Sequence, residues 1–148
     1  MRMFLSALLL TPLAAAAQPV SVGPCTEAAS AENLVEPWTG NTATYGNGAI
    51  RVALLDTAEP AAAPVHLMVL SPPMNELGLR GCKLVSLSAG SGFYDIDFAG
   101  RSADYDAATG LTLRLPAQRF VPDTGQGAPA VLTVTINQST GEIAGDLK

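Results

Sequence analysis

Four aspartates stand close together in the sequence, and clustered carboxylates can bind a hard cation or act as an acid–base pair. They are Asp95, Asp97, Asp104 and Asp106. A two-residue turn at Ala99-Gly100 would place Asp95 opposite Asp104 and put all four on one face of a hairpin. Like charges across a strand pair are destabilising, so something positive should lie nearby. A calcium ion would serve, and so would Arg101, Arg114 or water.

The sequence favours a solvated acidic face over a calcium site, because it contains no compact ligand loop with fixed spacing. A small hydrolase that uses a pair of these carboxylates is a rival interpretation. That interpretation lacks a proton donor whose pKa is predictably raised. We therefore predict no catalytic residues, and calcium is the single cofactor that the sequence brings into question.

The chain has one histidine, His66, which lies between Val65 and Leu67 in its most apolar run. No serine or aspartate stands near it at a spacing typical of nucleophilic catalysis. The pattern therefore predicts a buried structural imidazole and not a catalytic base.

Two long connections could recognise a partner, since binding residues concentrate on loops held by rigid sheets. Residues 71–81 begin Ser-Pro-Pro and reach a glycine at 78, a pattern that predicts a one-turn helix. Residues 116–129 carry further candidates amid glycine and proline. The candidate binding residues are Met74, Leu77, Leu79, Arg80, Arg119 and Phe120. The sequence favours a different role for three apolar residues of these connections, in which Leu77, Leu79 and Phe120 plug the open ends of a sandwich or barrel.

Short runs with period-two alternation must position all of these residues. Asn47-Gly48 predicts a tight hairpin that pairs Tyr45 with Ile50 and Ala43 with Val52. A loop at 138–141 predicts a second hairpin that pairs Ile136 with Ile143 and Leu132 with Leu147. About eight or nine such strands, with turns every eight to twelve residues, predict an all-β antiparallel sandwich or small closed barrel.

The N-terminus has the three-part pattern of a signal peptide, which we predict over residues 1–17 with cleavage after Ala17. Its apolar stretch is about ten residues long, whereas a membrane-spanning helix needs about 20, so we expect no membrane span. A periplasmic or secreted location follows. In an oxidising compartment Cys25 and Cys82 are expected to form one disulfide, because they lack the C-x-x-C spacing of a redox pair.

The remaining chain is long enough for one domain. Residues 18–32 are small, polar and without period, which predicts a loosely ordered segment, and residues 33–148 are predicted to form a single β domain. Removing Arg2 with the leader changes the net charge from −5 to −6. Nucleic acids and anionic membranes are therefore poor partners.

Alanine, glycine and proline are plentiful and lysine occurs only at positions 83 and 148, a composition typical of a GC-rich bacterial genome. These patterns together predict a noncatalytic binding or accessory module of the bacterial envelope. Its partner would be a protein, peptide or glycan. The alternatives are the carboxylate hydrolase and an enzyme inhibitor that presents residues 71–81.

Overall fold

The computed structural model describes residues 16–148, so the predicted leader lies almost entirely outside the described residues. Eleven strands account for most of this part of the chain. They are β1 (Gln18–Pro19), β2 (Ser21–Pro24), β3 (Thr42–Tyr45), β4 (Ile50–Asp56), β5 (Val65–Met74), β6 (Arg80–Ser86), β7 (Asp95–Ile96), β8 (Ser102–Asp106), β9 (Gly110–Val121), β10 (Gln126–Ile136) and β11 (Ile143–Leu147). Two 3₁₀ turns, Glu27–Ala29 and Ala31–Asn33, and one helical turn, α1 (Trp38–Asn41), lie between β2 and β3.

The strands form two antiparallel sheets that face each other as an open sandwich, which confirms the predicted all-β class and selects the sandwich over the closed barrel. Sheet I has the order β1-β11-β10-β9-β7, and β8 also pairs with β9. Sheet II has the order β2-β6-β5-β4-β3. The core lies between them because each strand turns alternate apolar side chains inward.

The alternation in the sequence defines the inner faces of both sheets. In sheet I, Leu111, Leu113 and Leu115 on β9 face the core with Leu132, Val134 and Ile136 on β10, and all six are buried. The two hairpin registers are confirmed, since Tyr45 pairs with Ile50 and Ile136 pairs with Ile143. A shift of one residue would expose every one of these side chains, so burial fixes the register.

Part of residues 18–32, which the sequence predicts to be a loosely ordered segment, forms regular strands. Residues 18–19 pair with β11 in sheet I, and residues 21–24 pair with β6 in sheet II. The Val20 amide between them donates to the carbonyl of Gly145 at 3.1 Å. Backbone hydrogen bonds to two sheets order this segment although its side chains show no hydrophobic period.

The predicted helix over residues 71–78 is wrong, because β5 continues to Met74. Strand β4 pairs with β5 only as far as Leu70, so beyond that point β5 has a neighbour on one side alone, in β6. Pro72 and Pro73 lie there, next to an irregularity in the β5–β6 register. A strand with one free edge tolerates prolines, since their missing amides are not needed for pairing.

Candidate functional site

The four aspartates do not form one cluster, because the predicted turn at Ala99-Gly100 does not pair β7 with β8. Both strands instead pair with the same edge of β9, where Asp95 lies opposite Gln118 and Asp104 opposite Thr112. Six residues along β9 correspond to about 20 Å. Within residues 16–148, no group of three or more histidine, cysteine or acidic side chains is placed to hold a metal ion.

Each of three aspartates has a local partner of its own. Asp104 forms an exposed ion pair with Arg114 at 2.8 Å, and Asp97 Oδ1 accepts from the Gly100 amide at 3.0 Å. Asp106 Oδ1 accepts from the amides of Thr109 and Ala108 at 2.9 and 2.8 Å. These bonds hold the pKa of Asp106 below its ordinary value, with the Thr109 amide the largest cause. Asp97 and Asp106 thus stabilise turns, and Asp104 forms an ion pair.

The connection between β5 and β6 is a projecting hairpin end, which we call the β5–β6 tip and define as residues 74–80. Leu77 is 82% exposed, Leu79 58% and Met74 46%. The favoured interpretation, that Leu77 and Leu79 plug an end of the sandwich, is therefore wrong. Three large aliphatic side chains in one exposed turn are an unusual feature of a protein surface that contacts only water.

The β5–β6 tip is held in shape by polar contacts at its base. Asn75 Oδ1 accepts from the amides of Leu77 and Leu79, each at 2.9 Å, and the Asn75 amide donates to the carbonyl of Leu79 at 2.8 Å. The guanidinium of Arg80 donates to the carbonyls of Ala49 and Gly48 at 2.7 and 3.0 Å. Arg80 thus links the tip to the turn between β3 and β4, and the apolar side chains project from a backbone that these hydrogen bonds hold in place.

The remaining two candidates, Arg119 and Phe120, lie at the other end of the sandwich. The amide of Tyr94 donates to the carbonyl of Gln118, next to Arg119. The preceding residue, Phe93, pairs with Val65 at the start of β5. The β5–β6 tip lies beyond the other end of β5. Phe120 is half-buried and stacks on Tyr94 with ring centroids 6.0 Å apart. The six predicted residues therefore do not form one surface.

His66 has a close polar partner that the sequence did not reveal. The residue is 6% exposed, and its Nδ1 lies 2.8 Å from the hydroxyl oxygen of Ser86. The two residues are 20 positions apart in the chain, but β5 and β6 are paired with Leu67 opposite Val85, which makes His66 and Ser86 neighbours on the outer face of sheet II. Only the strand register could have brought this pair to attention.

An open cavity of about 390 Å³ lies over this pair. His66, Leu84 and Ser86 form its floor on sheet II, and Ser21 and Gly23 of β2 form one side. The surrounding loops supply the rest of the lining: Pro24, Thr26, Ala28, Thr57, Glu59, Pro60, Ser88, Ala89 and Gly90. We call this space the His66 pocket. Its size is within the usual range for small-molecule sites.

Burial holds the pKa of His66 below its ordinary value, and the nearby carboxylate of Asp56 only partly opposes this effect. Below the unfolded-state pKa of about 6.5 the unfolded chain takes up a proton that the folded protein does not. We therefore expect the free energy of unfolding to fall as the pH drops from 6.5 toward the folded-state pKa. Above pH 6.5 this residue should contribute no pH dependence.

The measurement is urea unfolding of the wild type and of His66→Asn across this pH range, because asparagine keeps a polar group near Ser86 without titrating. The difference between the two proteins removes the contribution of carboxylates. The ring signals of the single histidine in proton NMR should also titrate with a midpoint below 6.5. An equal pH dependence in both proteins, or a midpoint at or above 6.5, would contradict the assignment.

No helix within the described part of the chain is both long and apolar enough to cross a bilayer. The predicted disulfide is present, since Cys25 and Cys82 are bonded to each other. Comparison with known proteins adds no relative from which a function could be transferred: no protein-family model, curated protein or solved structure matches this chain.

Proposed function

We propose that this protein is a noncatalytic binding module of the bacterial envelope, located in the periplasm or secreted, which engages a protein partner through the β5–β6 tip. The exposure of Leu77, at 82%, is the observation that carries the proposal. The signal-peptide pattern and the disulfide support the location.

The chemistry of the tip favours an apolar groove on a protein over a glycan. Its exposed side chains are aliphatic, whereas sugars usually require aromatic faces and polar groups for recognition. Its backbone is fixed by Asn75 and Arg80, so little conformational freedom is lost on binding. An inhibitor that inserts the same tip into an enzyme cleft is one form of this function.

The test compares capture of envelope proteins by the wild type and by a variant with Met74, Leu77 and Leu79 changed to alanine. A matched control changes Tyr105 and Val131, two exposed apolar residues of sheet I, to alanine. Truncating a hot-spot residue at the centre of an interface weakens the binding free energy by about 2 kcal/mol or more. We therefore expect the tip variant, and not the control, to lose at least tenfold in affinity.

All five substituted positions are substantially exposed, so both variants should melt close to the wild-type temperature. A partner that the wild type and the control retain and the tip variant loses supports the proposal. Equal capture by all three proteins would reject the tip as the recognition surface.

A further inference from the structure

We propose that the His66 pocket is a binding site for a small aliphatic amine, with an ammonium group held at the rim by Glu59 and a second donor group bound by His66 at the floor. This site is independent of the proposed function of the β5–β6 tip. His66 and Met74 are eight residues apart on β5, which corresponds to about 25 Å.

The floor of the pocket offers an unused polar atom. Nδ1 of His66 is occupied by Ser86, whereas Nε2 has no hydrogen-bond partner among residues 16–148. Among residues 16–148, the Ser30 hydroxyl is the one side-chain polar atom that is both fully buried and without a partner. Because Nε2 has no partner either, it must be accessible to solvent. His66 is 94% buried and is one of the residues that line the pocket, so Nε2 is its polar atom that remains available to a ligand there.

Because burial keeps the imidazole neutral at neutral pH, one of its nitrogens is an acceptor. If the Ser86 hydroxyl accepts from Nδ1–H, then Nε2 carries the lone pair and binds a donor. The neighbouring Asp56 carboxylate, which interacts with the ring, favours a positive group in this region. A ligand that brings N–H donors satisfies both conditions.

Among residues 16–148, the lining of the pocket contains one acidic residue, Glu59, and no lysine or arginine. Glu59 is exposed, and its carboxylate accepts from the Ala61 amide at 3.2 Å, so it stands at the mouth in a defined place. An anionic ligand would meet no cation here, and a flat aromatic or sugar ring would find no aromatic side chain on which to stack.

The wall of the pocket is fixed without the ligand, which suits a preformed site. The hydroxyl of Thr57 lies within hydrogen-bonding distance of the backbone carbonyls of Glu59 and Pro64, at 2.9 and 3.1 Å, within the loop that carries Glu59. The disulfide at Cys25 anchors the segment that contributes Thr26 and Ala28 to the lining. Apolar atoms of Pro24, Pro60 and Leu84 can cover the methylene chain of an amine.

His66 is the only histidine in the chain, so its ring signals in proton NMR report on the pocket without ambiguity. The probes are diaminobutane, butanediol and succinate, which have the same number of carbons but are dicationic, neutral and dianionic. They are titrated into the full protein slightly above neutral pH. We expect diaminobutane to shift the His66 signals with a saturable curve, and the other two probes to leave them in place.

Glu59→Gln removes the rim charge at an exposed position, so the variant should fold normally. Since exposed ion pairs contribute about 0.2–1 kcal/mol, we expect it to bind diaminobutane about 1.4- to fivefold more weakly. Glu76→Gln, which removes an exposed carboxylate at the distant β5–β6 tip, should bind like the wild type. The proposal is overturned if diaminobutane causes no shift, if butanediol or succinate shifts the signals equally, or if both variants bind alike.

Discussion

Replacing Phe93 by alanine is expected to lower the free energy of unfolding by about 3–5 kcal/mol, a large part of the 5–15 kcal/mol typical of a whole domain. Phe93 is completely buried in the core between the sheets. Phe93 also lies on the segment that joins the two sheets. Its amide donates to the carbonyl of Val65 in sheet II at 2.7 Å, and Asp95, two residues later, pairs with β9 in sheet I. Removing the ring would leave a cavity between the two sheets.

Urea unfolding followed by circular dichroism measures this loss. Phe120→Ala is the matched control, because the same side chain is removed from a half-buried place where it stacks on Tyr94. We expect it to cost only about 1–2 kcal/mol. Equal costs for the two variants would mean that Phe93 does not occupy the centre of the core.

Replacing Cys25 and Cys82 together by serine is expected to lower the free energy of unfolding by about 2–4 kcal/mol. The two residues are 57 positions apart, and closing a loop of that length removes up to about 4 kcal/mol of entropy from the unfolded chain. The Cys25 amide also donates to the carbonyl of Cys82 at 3.3 Å, so the cross-link extends the pairing of β2 with β6.

The disulfide prediction has a second, local consequence. The segment that follows Cys25 forms part of the wall of the His66 pocket. Relative to the wild type, the double serine variant should therefore show a larger increase in amide exchange at Thr26 and Ala28 than at the core of β9. Urea unfolding measures the global loss, and hydrogen exchange measures the local one. A variant as stable as the wild type would contradict the stabilising role of the cross-link.

The fold class, the core alternation and two hairpin registers were predictable because they depend on local rules. Asn47 and Gly48 both adopt positive φ in the first hairpin, as its turn chemistry requires. In the second, Leu132 faces Leu147 and Ile136 faces Ile143, so burial and turn length specify the same pairing. Where two local signals agree, the sequence determines the structure.

The arrangement of β7, β8 and β9 was not predictable, because it depends on competition between partners. Ala99-Gly100 looks like a turn between adjacent strands, but β9 is 12 residues long and offers its edge to both β7 and β8. Pairing with this long strand satisfies the backbone of each short one. The acidic cluster was lost for that reason, since it depended on β7 and β8 pairing with each other.

The candidate sites show the same division. The apolar residues of the β5–β6 tip were recognisable in the sequence, but their exposure depends on β5 continuing through Pro72 and Pro73 to Met74. The pairing of His66 with Ser86 depends on the β5–β6 register, which no motif records. A histidine in a strand should therefore be compared with the residues opposite it, and not only with those near it in sequence.

The most direct test of the central claim, that the β5–β6 tip contacts a partner, places a photo-crosslinking amino acid at position 77 in the native host. The control carries it at position 108, an exposed residue of the β8–β9 turn. That turn lies at the same end of the sandwich as the tip. Gly110 is close to Ile136 at the end of β10, and Gly141, which follows β10, is close to Pro73 near the tip. We predict a discrete cross-linked protein from position 77 and none from position 108. No adduct at position 77, or the same adduct from both positions, would contradict the account.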